Sequence, residues 1–552
     1  MKLKYITGLL FCAALSFTSC DDFFQVTTNT ELESKDYINL ESELYSGYIG
    51  IVTKLQAVGD KNIYLNDVRA EMIEPTQNAP TDLIDIYNYK EDLTGNSYAN
   101  PAPYYDVIMA CNDYLKRAKE YKTQNLYAID MDHYKALVSS ALRIKAWTYL
   151  TMAKIYNKVI WLDDPLEKDT DITQFPVKDL KETVKACRAM LDEGFDGAPG
   201  NLSFSWREWV DPDTEVGESI YRYWDYMTPA YFALYAELCL WDGDYQQTVT
   251  LIQREMAATF ATTVNDATHY MHNTKVGGTY GRIWDTKDPS AQEAVSCIMY
   301  SYTENQTNHL LQHFGTDSPN KYLLRPSTVG MARFEDDTFN PGHDTDKRLG
   351  VTYREDKQGN WVINKFRPVG SSVRPNAYEE DVPIYMYRGA DLYFMMAEAL
   401  NQLGRYEAAS ALINQGINSK FPNGGIAEAD QSEWGGFTDD WTSVSAIGTR
   451  KYPDMGIRGA LSNSKDRPFK FKGAEGMTDD EIKRFNDEAI LDEMMIEFTA
   501  EGRTLPAMIR VAQRWNNDYT IVSSRVAPKY ANPDEIKSKI DKGQVFINYS
   551  LK

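Results

Sequence analysis

The amino-acid sequence predicts a mostly α-helical protein, in which a scaffold of helix hairpins carries large loop-rich insertions. Three observations lead to this prediction. Apolar side chains recur at three- and four-residue spacing near both ends of the 552-residue chain, which is the period of an amphipathic helix. Two distant segments share one hairpin pattern, and Gly, Pro, Asn and Asp concentrate in the stretches between the helices.

The hairpin pattern is clearest in residues 382–418. The apolar face of a first helix stops at Gly404, and a second helix opens with Tyr406. Gly relaxes the turn, and the Tyr two residues later is expected to pack between the two helices, as in tetratricopeptide-like hairpins. Gly243 and Tyr245 occupy the same places in an upstream segment. The two segments are therefore predicted to be related packing units.

The same spacing predicts the other helices of the scaffold. They are expected at residues 37–55, 105–121, 133–156, 180–192, 481–501 and 505–515. Short β-prone runs at 295–302 and 361–366 predict a few strands within the irregular middle of the chain.

The loops are predicted to be insertions in one domain rather than separate domains. Residues 66–103 hold four Pro and three Tyr and are expected to be loop-like. We expect a single domain over 36–552, because predicted helices cluster at both ends of the chain. Its helical scaffold would cover about 36–260 and 386–515, and its loop-rich insertions about 262–385 and 421–477.

The N-terminus predicts export and a lipid anchor. Residues 1–19 carry two Lys and then an apolar run too short to cross a bilayer, which is typical of a signal peptide. Cys20 follows Phe-Thr-Ser in a pattern similar to a bacterial lipobox, in which the Cys is lipidated and anchors the protein to a membrane. An ordinary signal peptide with an incidental Cys is the alternative. Residues 20–35 are polar and would form a tether.

Charge and cysteine placement exclude some classes of function. The formal net charge of −22 repels phosphate backbones, so nucleic acid is not an expected partner. Four further cysteines fall mostly inside helical patterns without a CxxC pair: Cys111, Cys187, Cys239 and Cys297. This favours buried thiols over disulfides or a metal site.

No motif for catalysis or for a cofactor is present. The chain lacks Gly-x-Ser-x-Gly, a phosphate-binding Gly-rich loop and His-Glu-x-x-His, so no enzyme activity is expected. The pairs His269 with His272 and His309 with His313 are weak indications of a metal site. Residues 211–215 resemble the start of a calcium loop without its Gly. A hydrolase using a carboxylate pair and a structural platform protein stay open as alternatives.

Aromatic residues in the loops point to a sugar ligand. The chain holds 37 Tyr, 21 Phe and 11 Trp, and many lie outside the predicted helices. A flat exposed ring can stack on the apolar face of a sugar while neighbouring polar groups bond its hydroxyls. The stacking candidates are Tyr87, Tyr89 and Tyr98 from the first loop and Trp284 and Tyr302 from the irregular middle. The alternative is that most of these rings pin loops onto the scaffold.

Several of these stretches together resemble the SusD/RagB family of Bacteroidetes surface lipoproteins. The matching segments are Cys20-Asp-Asp-Phe-Phe24, residues 105–112, residues 141–149, Arg388–Leu400 and Ile490–Arg503. Their order along nearly the whole chain makes the resemblance specific.

The resemblance implies a non-enzymatic nutrient-capture lipoprotein, exposed at the outer-membrane surface. Such a protein caps a SusC-like TonB-dependent transporter and delivers oligosaccharide to it, with its tetratricopeptide-like helices facing the transporter. Two stretches depart from the family pattern: the turn after Tyr156, and the C-terminal residues 526–535, which are closer in character to RagB. Because that branch includes peptide binders, a peptide ligand in the same role is the second hypothesis.

Overall fold

The computed structural model describes the chain in segments. These are residues 38–127, 129–166, 170, 172–203, 225–262, 280, 283–284, 293–335, 346–366, 381–421, 426–437, 454–461 and 465–550. The predicted signal peptide, Cys20 and the tether lie outside these residues, as do residues 211–215, His269 and His272.

The N-terminal half of the scaffold consists of eight described helices. They are α1 (Glu41–Gln56), α2 (Gly59–Asp67), α3 (Thr81–Tyr87), α4 (Ala102–Gln124), α5 (Met131–Tyr156), α6 (Leu180–Glu193), α7 (Tyr231–Asp242) and α8 (Tyr245–Thr262). Side-chain caps fix two of the starts: the Asp130 carboxylate accepts from the first backbone N–H groups of α5, and Asp179 forms a capping box at α6. The predicted loop 66–103 is therefore wrong in part, because it contains α3.

The remaining helices occupy the middle and the C-terminal part of the chain. They are α9 (Leu310–Phe314), α10 (Thr328–Glu335), α11 (Leu349–Thr352), α12 (Gly389–Gln402), α13 (Tyr406–Ile413), α14 (Glu428–Gln431), α15 (Gly456–Ala460), α16 (Asp479–Glu497), α17 (Thr504–Arg514), α18 (Thr520–Val526) and α19 (Pro533–Asp541). The mostly helical fold class is confirmed. The sequence analysis did not anticipate α18 and α19.

Both predicted hairpins form. The turns of α7–α8 and α12–α13 place Gly243 and Gly404 at positive φ, +82° and +73°, a backbone conformation that glycine adopts without steric cost. Tyr245 accepts a hydrogen bond from the Nε of Arg514 on α17, and Tyr406 donates to Asp479 at the start of α16. Since α8 also packs on α12 and α12 on α16, the two hairpins and the C-terminal helices share one core.

The described strands form four small antiparallel sheets of two strands each. β1 (Ile73–Pro75) pairs with β5 (Leu324–Pro326), and β2 (Val159–Ile160) pairs with β3 (Val177–Lys178). β4 (Ala294–Ile298) pairs with β8 (Ile384–Arg388), and β6 (Tyr353–Glu355) pairs with β7 (Trp361–Ile363). The β4–β8 pair is fully buried and leads directly into α12. Strands were predicted near β4 and β7, and both are present.

A network of buried ion pairs, which we name the charged core, joins the middle of the chain to the C-terminal helix α16. Its described cations are Arg348, Lys365, Arg388, Arg458, Arg467 and Arg503, and its described anions are Glu293, Asp346, Asp391, Glu493, Glu497 and Glu501. Glu493, Glu497 and Glu501 are spaced four residues apart, so they present carboxylates along one side of α16 and the turn that follows. The C-terminal stretch that resembles the family pattern thus supplies three of the six described anions of this core, together with the cation Arg503.

The cysteines behave as predicted. Cys111, Cys187, Cys239 and Cys297 are buried free thiols, and burial raises the pKa of Cys111 to about 12. Among the described residues, no helix has the length and apolar content needed to cross a membrane. Over the same residues, no group of three or more His, Cys, Asp or Glu side chains is arranged to hold a metal ion.

Candidate ligand-binding surface

The short helix α9 organises a surface where the first loop and the irregular middle of the chain meet. We name the α9 surface by its five main side chains: Tyr98, Tyr302, His309, Tyr322 and Trp361. The contacts given below connect each of them to α9 or to the segments on either side of it. The surface thus combines residues more than 200 positions apart in the sequence.

His309 fixes the start of α9 to helix α2. Its backbone N–H donates to the Asp60 carboxylate at 2.8 Å, and its ring Nδ1 lies 2.9 Å from the same oxygen. The His309 side chain is more than half exposed, whereas Asp60 is buried. One edge of the imidazole is therefore held by the protein and the rest faces solvent.

Tyr98 packs against two other aromatic rings. The Tyr64 ring is stacked on the His313 ring at a centroid distance of 5.2 Å, and Tyr98 meets both rings edge-on, at 5.4 and 6.0 Å. The Lys61 ammonium also donates to the Tyr98 carbonyl at 2.9 Å. Tyr98 is half-buried, so part of its ring is fixed while the remainder reaches the surface.

Tyr302 projects from a turn that is anchored on α1. Ser301 and Gln306 exchange two backbone hydrogen bonds of 3.0 and 2.9 Å across this turn. The Gln56 side chain of α1 donates to the Met299 carbonyl at 2.7 Å and to the Gln306 amide oxygen at 3.1 Å. Tyr302 is 39% exposed. Its ring is thus presented to solvent on a supported backbone.

Trp361 and Tyr322 lie beyond the other end of α9. The backbone N–H groups of Lys321 and Tyr322 donate to the Gln312 carbonyl of α9, and the Tyr322 hydroxyl donates to the Trp361 carbonyl at 2.6 Å. Trp361 is 38% exposed at the start of β7. The sequence analysis placed Trp361 in a strand without selecting it, although a Trp that opens a short, alternating strand can point to solvent.

Two charged residues below the α9 surface, Asp60 and Lys61, have shifted pKa values for different reasons. Burial alone would raise the pKa of Asp60, but the hydrogen bonds and charge of His309 lower it overall. Burial lowers the pKa of Lys61 to about 8, against the opposing effect of the Asp60 charge. The Asp60 carboxylate is thus buried below the surface and already bound by His309. The surface itself exposes aromatic rings and amides, which suits an uncharged ligand.

Two of the predicted stacking residues need correction. Tyr89 is 4% exposed and donates its hydroxyl hydrogen bond to the Arg69 carbonyl at 2.6 Å. Trp284 is 2% exposed, with the Lys365 ammonium 4.7 Å and the Arg388 guanidinium 5.8 Å from its ring. Both rings are packed into the protein because they cover the charged core or close a loop, so neither presents a face to a ligand in this structure.

Tyr87 is partly buried and belongs to a different neighbourhood. Its ring stacks on Tyr530 at 4.4 Å, and the Lys529 ammonium lies 4.8 Å from it. The Tyr530 hydroxyl donates to the Tyr87 carbonyl at 2.7 Å. These contacts fasten the C-terminal segment to the first loop. Of the five predicted rings, the structure gathers Tyr98 and Tyr302 around α9.

One segment of the chain matches a known protein family. Residues 298–417 match the model of the SusD family, and this segment contains Tyr302, α9, Tyr322 and Trp361. No curated protein sequence matched the chain.

Solved structures share the fold over most of its length. A SusD superfamily protein from Bacteroides vulgatus is 11% identical, with a TM-score of 0.59 over 92% of this chain and 93% of its own. A laminarin binding SusD-like protein is 14% identical, with a TM-score of 0.55 over 92% and 98% of the two chains. A putative sugar binding protein from Bacteroides vulgatus is 16% identical, with a TM-score of 0.54 over 86% and 87%.

At such low identities these structures establish the fold, and the family match adds the segment that carries most of the α9 surface. The sequence resemblance, the fold and the matched segment agree: residues 298–417 are similar to the SusD family, and the chain shares its fold with SusD superfamily structures.

Proposed function

We propose that this protein binds oligosaccharide through its α9 surface. The observation that carries the proposal is the pair of exposed rings, Tyr302 and Trp361, held on supported backbone on either side of α9. Similarity in fold to proteins described as laminarin binding and sugar binding supports this ligand class.

The chemistry of the surface fits a neutral sugar chain. An aromatic face takes up the C–H side of a sugar ring, while amide and imidazole groups such as Gln306 and His309 exchange hydrogen bonds with its hydroxyls. Because Tyr98 is braced by Tyr64 and His313, little rotamer entropy is lost when a ligand contacts it.

We further propose the setting in which binding occurs. Cys20 carries lipid, residues 20–35 tether the fold, and residues 36–552 act as a single domain exposed at the outer-membrane surface. The bound oligosaccharide is delivered to a SusC-like TonB-dependent transporter, which the tetratricopeptide-like hairpins face. The match of residues 298–417 to the SusD family model and the Cys20 pattern support this setting. Metabolic labelling with an alkyne fatty acid, lost in Cys20→Ser, tests the anchor.

Affinity electrophoresis of the purified protein against plant, host and microbial polysaccharides tests the ligand. We expect retardation by at least one glycan, and roughly fivefold to tenfold weaker binding for Tyr302→Ala and for Trp361→Ala, because each removes a stacking face. Tyr127→Ala is the matched control, since Tyr127 is a fully exposed Tyr at the turn between α4 and α5. Equal binding by all three variants would remove the α9 surface from the proposal.

The peptide hypothesis is tested in parallel. Its support is the RagB-like character of residues 526–535. Isothermal titration with peptide and glycan pools separates the two ligand classes, and heat released by peptides alone would replace the oligosaccharide proposal with peptide capture.

A further inference from the structure

A recess lies between helices α4, α5 and α6, and none of the five residues that define the α9 surface lines it. It has a volume of about 970 Å³, which is in the range of sites for small organic ligands. Its apolar wall includes Leu115 of α4, Leu142 of α5 and Met190 of α6. The loop after β2 closes one side with Asp163 and Asp164. We name this recess the α4–α6 groove.

Lys145 lies at the base of the α4–α6 groove and has no counter-ion in contact. The side chain is 4% exposed, and within the described part of the chain its ammonium makes no hydrogen bond and no ion pair. Burial lowers the pKa of Lys145, although the charges of Asp163 and Asp164 act in the opposite direction from a distance. Most of the side chain is buried while the ammonium itself reaches the open volume of the groove, where a ligand can supply an acceptor.

Asn112 lies beside the same recess and holds the loop that closes it. Its side-chain amide donates to the carbonyls of Leu162 and Asp164, both at 3.1 Å. Its side-chain oxygen is buried and accepts no hydrogen bond from any group that the structure describes. Buried polar atoms are nearly always paired, so an unsatisfied oxygen in a residue that lines the groove is unusual.

The charges that line the groove indicate which ligand charges fit. Among the described lining residues the only buried cation is Lys145, and the exposed charges are four carboxylates and two ammonium groups: Glu120, Asp163, Asp164, Glu193, Lys116 and Lys119. A ligand with a carboxylate alone would therefore meet net negative charge at the entrance. A ligand that also carries an ammonium group would be attracted to it.

We propose that the α4–α6 groove binds a small zwitterion with an apolar side chain, either a free amino acid or a short peptide. Its carboxylate accepts hydrogen bonds from the Lys145 ammonium, and its ammonium group faces Asp163 and Asp164. The apolar side chain packs against Leu115 and Met190. This site is separate from the α9 surface and does not depend on the oligosaccharide proposal.

Isothermal titration of the purified full-length protein tests this site with four probes: L-leucine, leucyl-leucine, leucinamide and glucose. We expect saturable binding of leucine or leucyl-leucine, and which of the two binds more tightly distinguishes the amino acid from the peptide. Leucinamide lacks the carboxylate and should bind at least about tenfold more weakly, because it forfeits the charge-assisted hydrogen bonds to Lys145.

The matched variants are Lys145→Met and Lys135→Met, two lysines of the same helix. Lys135 does not line the groove, so Lys135→Met should bind like the wild type. Lys145→Met should lose about tenfold or more in affinity, with a Tm near that of the wild type because the ammonium makes no bond to the described part of the protein.

Equal affinity for leucine and leucinamide would overturn the proposal, and this comparison uses wild-type protein, so it does not depend on the variants folding. Binding that is unchanged in Lys145→Met, binding of glucose alone, or no saturable binding of either zwitterion would also overturn it.

Discussion

Glu493 sits at the point of the charged core where three arginines converge, and its neutralisation tests how much this buried carboxylate stabilises the fold. Arg348 donates to one carboxylate oxygen at 2.6 Å. Arg458 and Arg467 donate to the other oxygen, at 3.0 Å and at 2.8 and 2.6 Å. All four side chains are fully buried. Glu493→Gln preserves size and removes one charge.

The expected cost follows from the balance of the core. Its described residues comprise six cations and six anions, so the substitution leaves one buried positive charge uncompensated. The new amide N–H₂ would also point a donor at a guanidinium donor. Breaking a buried pair by removing one partner costs about 3–5 kcal/mol, and we expect the free energy of unfolding to fall by about that amount.

Urea unfolding followed by tryptophan fluorescence measures this change, with Glu488→Gln as the matched control. Glu488 lies on the same helix, but its side chain is 37% exposed and its contacts with Arg484 and Arg525 are 3.4 and 3.5 Å long. Exposed pairs contribute about 0–1 kcal/mol, so the control should unfold near the wild-type midpoint. If the two variants lost equal stability, the reasoning that a buried ion pair costs more to break than an exposed one would be refuted.

Two further predictions concern the hairpins. Burial alone would raise the pKa of Glu398, but the positive charges of Arg510 and Arg514 outweigh this effect. They lower the pKa from the ordinary 4.5 to about 2. The ionised Glu398 therefore stabilises the folded state by about 3 kcal/mol, fully above pH 4.5 and progressively less as the pH falls towards 2. Urea unfolding midpoints measured from pH 7 to pH 2 should fall accordingly, and Glu398→Gln should show a flatter pH profile. Gly404→Ala should destabilise the protein by about 1 kcal/mol, because Gly404 has a φ of +73°, which alanine adopts only with strain. Gly50→Ala should stabilise it by about 0.5–1 kcal/mol, because Gly50 lies within α1 with open space around it. Equal Tm shifts in the two variants would contradict this reasoning.

The helix hairpins were predictable because their signals are local. The spacing of apolar residues and the Gly at each turn are written within about thirty consecutive residues, and they need no distant contact to be interpreted. The missed helices α18 and α19 carried a local signal as well. Pro533 stands at the first turn of α19 after Asn532, a common way for a helix to begin. The sequence analysis compared residues 526–535 with RagB and predicted no helix there.

The ligand-binding surface was less predictable because exposure is a property of the tertiary structure. Trp284 and Trp361 both lie in the irregular middle of the chain, and neither has neighbours that reveal its environment. One is covered by Lys365 and Arg388, while the other opens a strand at the surface. This difference arises from Glu497, at the end of α16, and Glu501, in the turn that follows, which bind Arg388 and Lys365 and hold them in the interior. Each acid lies more than a hundred positions from its cation in the sequence.

The charged core and the α9 surface are mechanically connected through residues 361–366. Lys365 donates to the carbonyls of Glu497 and Thr499, at 2.7 and 3.2 Å, and pairs with Glu501. Only three residues separate this buried anchor from Trp361, whose ring is exposed, and the strand β7, which begins at Trp361, is paired with β6. The ring is therefore presented on a strand whose far end cannot shift without breaking buried ionic contacts. Such pre-organisation lowers the entropy lost on binding. The buried charges thus fix the position of a ring on the proposed ligand-binding surface, which they do not touch.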